Sequence, residues 1–313
     1  MNILVTGGAG YIGSHTVKLL VKRHNVVVLD TLENGHFEAI DSRACFIEGD
    51  FGDKNLVERI IRQHKIDAVM HLAGYIDISE SVSDPYKYYH NNIYNSLQLF
   101  KAMHNSNVKR IVFSSSAAVY GCRPENKPIS EDSPLMPISP YGSSCLAVEN
   151  ALSNLGFDFV SLRYFNVAGA AFGLGEDHQP ETHLIPLLIK KALSTQDAVL
   201  FGSDYPTHDG TCIRDYVHVE DIANANLLAL SRGRGVYNVG CGIGFSNKQI
   251  LQMVSDGVGK LRCLYDMRRP GDAPSLVADI KKIRKLGWKP KHTIKSIIKS
   301  AAEWQRSHPG GYE

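Results

Sequence analysis

The segment "TGGAGYIGS", Thr6 to Ser14, does most to restrict what this chain can become. It follows the β-branched run "NILVT" and opens a helix-forming stretch, so a strand must turn at once into a helix. Gly7, Gly8, Gly10 and Gly13 allow the tight turn, let a diphosphate approach the backbone and let the helix lie close to the strand. The free amides and dipole of the helix N-terminus favour an anion there. Asp30 closes the next β-branched run, twenty residues after Gly10. A carboxylate at that place accepts from both adenosine ribose hydroxyls and repels a 2′-phosphate, which favours NAD over NADP.

The rest of the first half repeats the same alternation. "NVVVLD", "ACFIEGD", "DAVMHLAG" and "KRIVFSSS" read as strands, with "SHTVKLLVKR", "NLVERIIRQH" and "NIYNSLQLFKAMHNS" as helices between them. That rhythm predicts an α/β fold, a Rossmann doubly wound parallel sheet. The strand runs are almost wholly apolar, as expected where helices cover both faces. The rhythm continues through "DFVSLRYFNVAG", after which Gly and Pro become frequent and the pattern irregular. We therefore expect an NAD-binding domain over residues 1–166 and a smaller C-terminal substrate domain over 167–313. Segments near 217–242, "GVYNVG" among them, are expected to return to the first domain.

Composition excludes several partners. A net charge of +2 is too mild for a nucleic-acid surface, and the basic run "KKIRKLGWKPKHTIKSIIK" spaces its lysines between apolar residues like a solvated helix face. No run approaches the eighteen or so apolar residues of a membrane span. "MNILVTGG" enters the glycine loop without a basic leader, and the six cysteines form no CxxC pair. A soluble, cytoplasmic chain with reduced thiols, no membrane partner and no metal is the expectation. His71 has no carboxylate or Cys at metal spacing and reads as a packed strand histidine.

Candidate site residues fall at the carboxyl ends of the strands, where ligands of open sheets bind. Asp50 and Phe51 end the third strand and are placed to meet adenine; "HLAG", His71 to Gly74, ends the fourth and should pass beside the cofactor. "FSSSAAVYG" ends the fifth, and Tyr141 follows Ser116 by twenty-five residues at the head of "SPYGSSCLAVEN". A strand-end hydroxyl facing a helix-start tyrosine suits proton transfer at an alcohol carbon that exchanges hydride with nicotinamide. Buried tyrosines are usually structural, and the dinucleotide loop is what makes this one a candidate.

At this point the chain resembles the extended short-chain dehydrogenases/reductases and, within them, is similar to the UDP-glucose 4-epimerase family. The similarity runs over nearly its whole length, through "VTGGAGYIGSH", "VLDTLENGH", "YYHNNIYNSL", "SSSAAVYG", "SPYG", "LRYFNVAGA", "GEDHQPETHLIP", "FGSDYPTHDGTCIRDYVHVEDIA", "RRPGD" and "HPGGY". The resemblance implies NAD as a tightly held cofactor, a UDP-hexose substrate and a homodimer. It makes Tyr141 the base and Ser116 its hydrogen-bonding partner. Tyr11, Ile12, Asn34, Asp50, Phe51, Leu72, Ala73, Gly74, Asn91, Ser114 and Tyr164 would join Gly7, Gly10, Gly13, Asp30 and Tyr141 around NAD. Asn166, His183, Leu184, Arg214, Tyr216, Arg269 and Asp272, with Ser116, would hold the UDP-sugar. Two arginines offer forked donors to a diphosphate, although a surface ion pair would use them equally well. In the family the phenolate takes the 4-hydroxyl proton while C4 is oxidised; the 4-keto sugar turns over and is reduced on its other face.

One position departs from the pattern. The family carries Tyr-x-x-x-Lys, and this chain has Tyr141 and Cys145. Residues four apart share a helix face, so Cys145 covers the patch from which the family's lysine would lower the tyrosine pKa and bind the nicotinamide ribose. A neutral thiol does neither well. Three readings stay open: an introduced change, a natural divergence in rate or chemistry such as dehydration, or a small packed residue in a protein that binds NAD and nucleotide sugar without turnover. The segment from Cys145 to Asn166 is also about one turn shorter than is common in the family, in a helix of the family's dimer interface. Leu276 occupies the position that limits sugar size there, which leaves N-acetylhexosamines open.

Overall fold

Strand β1 (Asn2–Thr6) is buried along nearly its whole length, as an apolar run between helices must be. The computed structural model describes residues 1–122, 127–269 and 272–312. Pro270 and Gly271 of "RRPGD" and Glu313 therefore lie outside the described residues.

Among the described residues the remaining strands are β2 (Asn25–Asp30), β3 (Cys45–Glu48), β4 (Ala68–His71), β5 (Arg110–Ser116), β6 (Asp158–Tyr164), β7 (Asn166–Ala168), β8 (Ala198–Phe201), β9 (Ile213–His218), β10 (Gly235–Val239), β11 (Gly244–Ser246), β12 (Cys263–Asp266) and β13 (Ser275–Leu276). The helices are α1 (Tyr11–Leu20), α2 (Lys54–His64), α3 (Ile78–Ser83), α4 (Pro85–Tyr88), α5 (Ser96–Asn105), α6 (Pro140–Asn154), α7 (Leu184–Leu193), α8 (Val219–Ser231), α9 (Asn247–Gly257), α10 (Lys281–Lys285) and α11 (Ile294–Ser307).

Seven strands form one all-parallel sheet in the order β10-β6-β5-β4-β1-β2-β3. Chain direction across the sheet reverses between β1 and β4, which opens a crevice beyond their carboxyl ends. The expected Rossmann arrangement is thus present. One face packs Val57, Ile60, Leu99, Met103 and Leu152 of α2, α5 and α6; the other packs Val17, Leu20, Ile222 and Ala229 of α1 and α8. A second core gathers Ile185, Leu188, Ile250, Val254, Ile297 and Ile298 of α7, α9 and α11 around β8 and β9.

A smaller sheet is built around β9. Strand β9 pairs in parallel with β7 and β13 and antiparallel with β11, placing Asn166 opposite Tyr216 and Arg214 opposite Leu276. The run "DFVSLRYFNVAG" therefore crosses from one sheet to the other: β6 belongs to the first, β7 to the second, with buried Phe165 between them. The helix read in "NIYNSLQLFKAMHNS" likewise divides, into a π-helical turn over Tyr89–Asn95 followed by α5. A π-turn inserts an extra residue and often marks a functional site; here it carries Asn91.

Candidate active site

The dinucleotide loop is built from backbone proximity. Gly7 has φ of 73°, and a Cβ on it would lie 2.5 Å from the Ala73 nitrogen, so the loops after β1 and β4 touch with no room for a side chain. Gly13 is as constrained, since its Cβ would meet the Gly7 carbonyl at 1.9 Å. Helix α1 begins at Gly10 without a side-chain cap, which leaves its first amides to an outside anion. Asp30 accepts from Ala9 N at 2.9 Å and Leu32 N at 3.0 Å, and a carboxylate has acceptor capacity beyond two such bonds for ribose hydroxyls. Asp50 is held by Gly52 N at 2.7 Å, and Phe51 leans on the His71 ring with centroids 4.9 Å apart. These residues fit a bound dinucleotide. His71 itself lies between Thr6 Oγ1 at 2.7 Å and Ser96 Oγ at 2.9 Å, buried and with its pKa pushed down to about 3 by that burial.

Ser116 ends β5 and caps the following 3-10 turn, its Oγ accepting from Ala118 N at 3.1 Å. The hydroxyl proton stays free to donate elsewhere. Tyr141 stands at the second position of α6, a helix started by Pro140 and by Ser139 Oγ accepting from Gly142 N at 3.1 Å. Its ring meets Tyr88 edge-on at 6.5 Å. Burial pushes the Tyr141 pKa well above 10; the neighbouring Cys145 adds to this, and the hydrogen bond from Ser116 opposes it. None of these influences is cationic.

Cys145 is 5% exposed and packs in one apolar cluster with Ala117, Val119 and Tyr120. Burial, helped by the charge of Glu149, pushes its thiol up to about 12. It is a neutral thiol at physiological pH. Glu149, one turn beyond, accepts from Arg163 Nη2 at 2.6 Å, Arg163 Nε at 3.0 Å and Ser115 Oγ at 2.6 Å. Arg163 also donates to Tyr120 OH at 2.8 Å. The buried guanidinium is thus committed away from Tyr141.

On the opposite side, Arg214 donates through Nη1 to Ala273 O at 2.7 Å and pairs through Nη2 with Asp272 at 3.4 Å. The Arg214 side chain is 11% exposed, and both partners line the cavity. The Arg269 guanidinium lies 4.0 Å over the Phe201 ring. His183, the N-cap of α7, shares a hydrogen bond of 2.8 Å with Glu181 through Nδ1. Burial lowers its pKa, but that bond and the charges of Glu176 and Glu181 outweigh it and raise the imidazole to about 9.

All of the residues assigned from the sequence to cofactor or substrate line one cavity of about 720 Å³. Cys145 lies behind the wall that Tyr141 forms. The cavity also includes residues that sequence reasoning missed. Glu33 and Tyr75 line it and are bonded to each other, the phenol donating to both carboxylate oxygens at 2.8 and 2.7 Å. No local pattern signals that pair, because it joins two loops forty-two residues apart. Glu176 and His178 are also there, and the density of ligand-type side chains in "GEDHQPETH" is a signal that could have found them.

A parallel sheet with a glycine loop at its crevice, facing a Ser-Tyr pair, defines a dinucleotide-dependent enzyme of the extended short-chain dehydrogenase/reductase class. The sequence matches the NAD dependent epimerase/dehydratase family over residues 3–240. It is 49% identical to a UDP-glucose 4-epimerase of Lactobacillus helveticus, across 100% of this chain and 99% of that protein. The solved UDP-glucose 4-epimerase of Bifidobacterium longum, in complex with NAD+ and UDP, is 37% identical with a TM-score of 0.94, covering 100% of both chains. The UDP-Glc/GlcNAc 4-epimerase of Campylobacter jejuni is 38% identical with a TM-score of 0.83, over 98% of this chain and 99% of that one. The chain belongs to the NAD dependent epimerase/dehydratase family and, within it, to the UDP-glucose 4-epimerases.

Proposed function

We propose that this chain interconverts UDP-glucose and UDP-galactose at the sugar C4, with Tyr141 as base and a turnover held down by Cys145. The observation that carries the reading is the meeting of Ser116, Tyr141, the glycine loop and the Arg214–Asp272 pair around one cavity. Gly7 to Gly13 and Asp30 would hold NAD, which when bound supplies a reversible hydride acceptor. Tyr141 takes the proton of the 4-hydroxyl and returns it; Ser116 donates to the phenolate and steadies it. Arg214 and Arg269 grip the diphosphate while Asn166 and Tyr216 border the nucleotide sugar. Charge concentrated on the diphosphate leaves the hexose free to present either face.

The Tyr-x-x-x-Cys departure bears on rate. Each pKa unit by which Tyr141 stays too high costs about 1.4 kcal/mol, a factor of ten in available base. A coupled assay of UDP-galactose conversion with Cys145→Lys beside the parent chain tests this. At least tenfold higher turnover in the variant is expected, and equal rates would sink the account of Cys145. Binding of NAD and UDP without turnover in either protein would favour the competing reading of a non-catalytic nucleotide-sugar binder. Offering UDP-N-acetylglucosamine in the same assay resolves the sugar preference, because Leu276 borders the cavity.

The same reading includes a homodimer through α6 and a cytoplasmic location. The six free cysteines support a reducing compartment, and no helix among the described residues is long and apolar enough to cross a membrane. Residues 1–166, with segments near 217–242, are proposed as the NAD-binding unit and 167–313 as the UDP-sugar unit.

A further inference from the structure

The loop between β7 and α7 brings together a set of side chains that proton transfer at Tyr141 does not use. Glu176, His178 and His183 each present one ligand-type atom, and these atoms lie within 4.8 Å of one another. Ligands around a tetrahedral zinc sit about 3.4 Å apart, given bond lengths near 2.1 Å, so small side-chain rotations would close the set. His178 Nδ1 already contacts Glu176 Oε1. Glu181 Oε1 accepts from both the backbone N and ring Nδ1 of His183, each at 2.8 Å. That bond fixes the His183 tautomer and leaves its Nε2 for a metal, in the carboxylate–histidine–metal manner.

A second observation points to a missing cation. The Glu181 side chain is only 4% exposed, and its Oε2 is buried without a partner. The other oxygen of the same carboxylate sits on the His183 ring at 2.8 Å, so the orphaned oxygen belongs to a group already tied to this cluster. An unpartnered buried carboxylate oxygen is costly, and a divalent ion held by the cluster would offset its charge. The cluster remains open toward the cavity, since the His178 and His183 side chains are 25% and 36% exposed.

The geometry points to a divalent transition-metal site, formed by Glu176, His178 and His183 with Glu181 orienting His183 from behind. Two imidazoles and carboxylate oxygens suit zinc or a similar borderline cation. The ion would pin the loop that leads into α7, whose neighbour Asp177 is already tied to the chain's end by Tyr312 N at 2.9 Å. The backbone at the start of α7 is left for the nucleotide. A second cluster, His218, Glu220 and His292, is not equivalent. Both ring nitrogens of His218 are engaged there, by Ser300 Oγ at 3.1 Å and Glu220 N at 3.0 Å.

The test is a zinc titration of the chelator-treated protein, followed by calorimetry and by metal analysis after gel filtration. One zinc per chain is expected, with affinity at least a hundredfold weaker in His178→Ala, about tenfold weaker in Glu181→Gln and unchanged in His292→Ala. Cobalt(II) added instead should give visible d–d bands in the parent that vanish in His178→Ala. Circular dichroism shows whether each variant is folded, and Glu176→Gln replaces His178→Ala if the latter is not. Failure of the parent to take up zinc, retention of zinc by folded His178→Ala or Glu176→Gln, or loss of zinc from His292→Ala overturns the site. None of these readouts depends on epimerase activity, so the metal proposal and the reaction proposal can fail separately.

Discussion

In the proposed reaction, Tyr141 and Cys145 set the chemistry at the residue scale. A base must be deprotonated to work, and burial pushes Tyr141 upward while the thiol behind it remains neutral. Turnover of the parent protein should therefore climb with pH across the alkaline range, up to the point where the protein unfolds. In Cys145→Lys the ammonium favours the phenolate, so the rise should shift to lower pH by at least one unit. Profiles of kcat/KM against pH for the two proteins measure this directly; coincident profiles would remove the electrostatic role assigned to position 145. The departure was legible from sequence alone, because Tyr-x-x-x-Cys is a matter of spacing. What surrounds the cysteine was not: the Arg163–Glu149 pair depends on β6 lying against α6, which no local pattern encodes.

Elements differ in how openly the chain announces them. Runs such as "NVVVLD" and "KRIVFSSS" declare β2 and β5, because an unbroken apolar stretch bounded by turns has few other uses. Helices α3 and α4 are short, polar and capped mainly by Asp77 and Asp84, so periodicity gives no warning of them. The π-turn before α5 is invisible for a similar reason, since its sequence is that of an ordinary helix. It has a second consequence on the outer surface, where Tyr94 and Leu97 are 53% and 39% exposed one turn apart. Exposed apolar side chains there, beside α6, support the dimer proposed above. Light scattering should give the mass of two chains for the parent and one for Leu97→Glu; a monomeric parent would remove the dimer from the reading.

At the scale of the whole molecule, buried neutral histidines govern the response to acid. Burial pushes His15 down to about 4 and His71 and His218 down to about 3. The unfolded chain protonates each near pH 6.5 while the folded chain does not, so stability is full above that pH and falls as pH drops from 6.5 toward 4. Asp215, pushed up to about 6 by burial, takes up a proton when folded and offsets one of the three. Each uncompensated group contributes at most about 1.4 kcal/mol per pH unit. Urea midpoints should be lower at pH 5 than at pH 7, and less so in His71→Asn; a midpoint that does not fall at pH 5 would contradict this assignment.

The passage of one run of chain between two sheets has a mechanical meaning. Tyr164 ends β6 on the proposed cofactor side and Asn166 begins β7 on the proposed substrate side, and the amide of Phe165 between them bonds Val239 O at 3.0 Å. Two peptide units span at most about 7 Å. The proposed cofactor and substrate sides are therefore joined at this crossing by a welded seam rather than a hinge, and the Tyr75–Glu33 bond ties together two of the loops that line the same cavity.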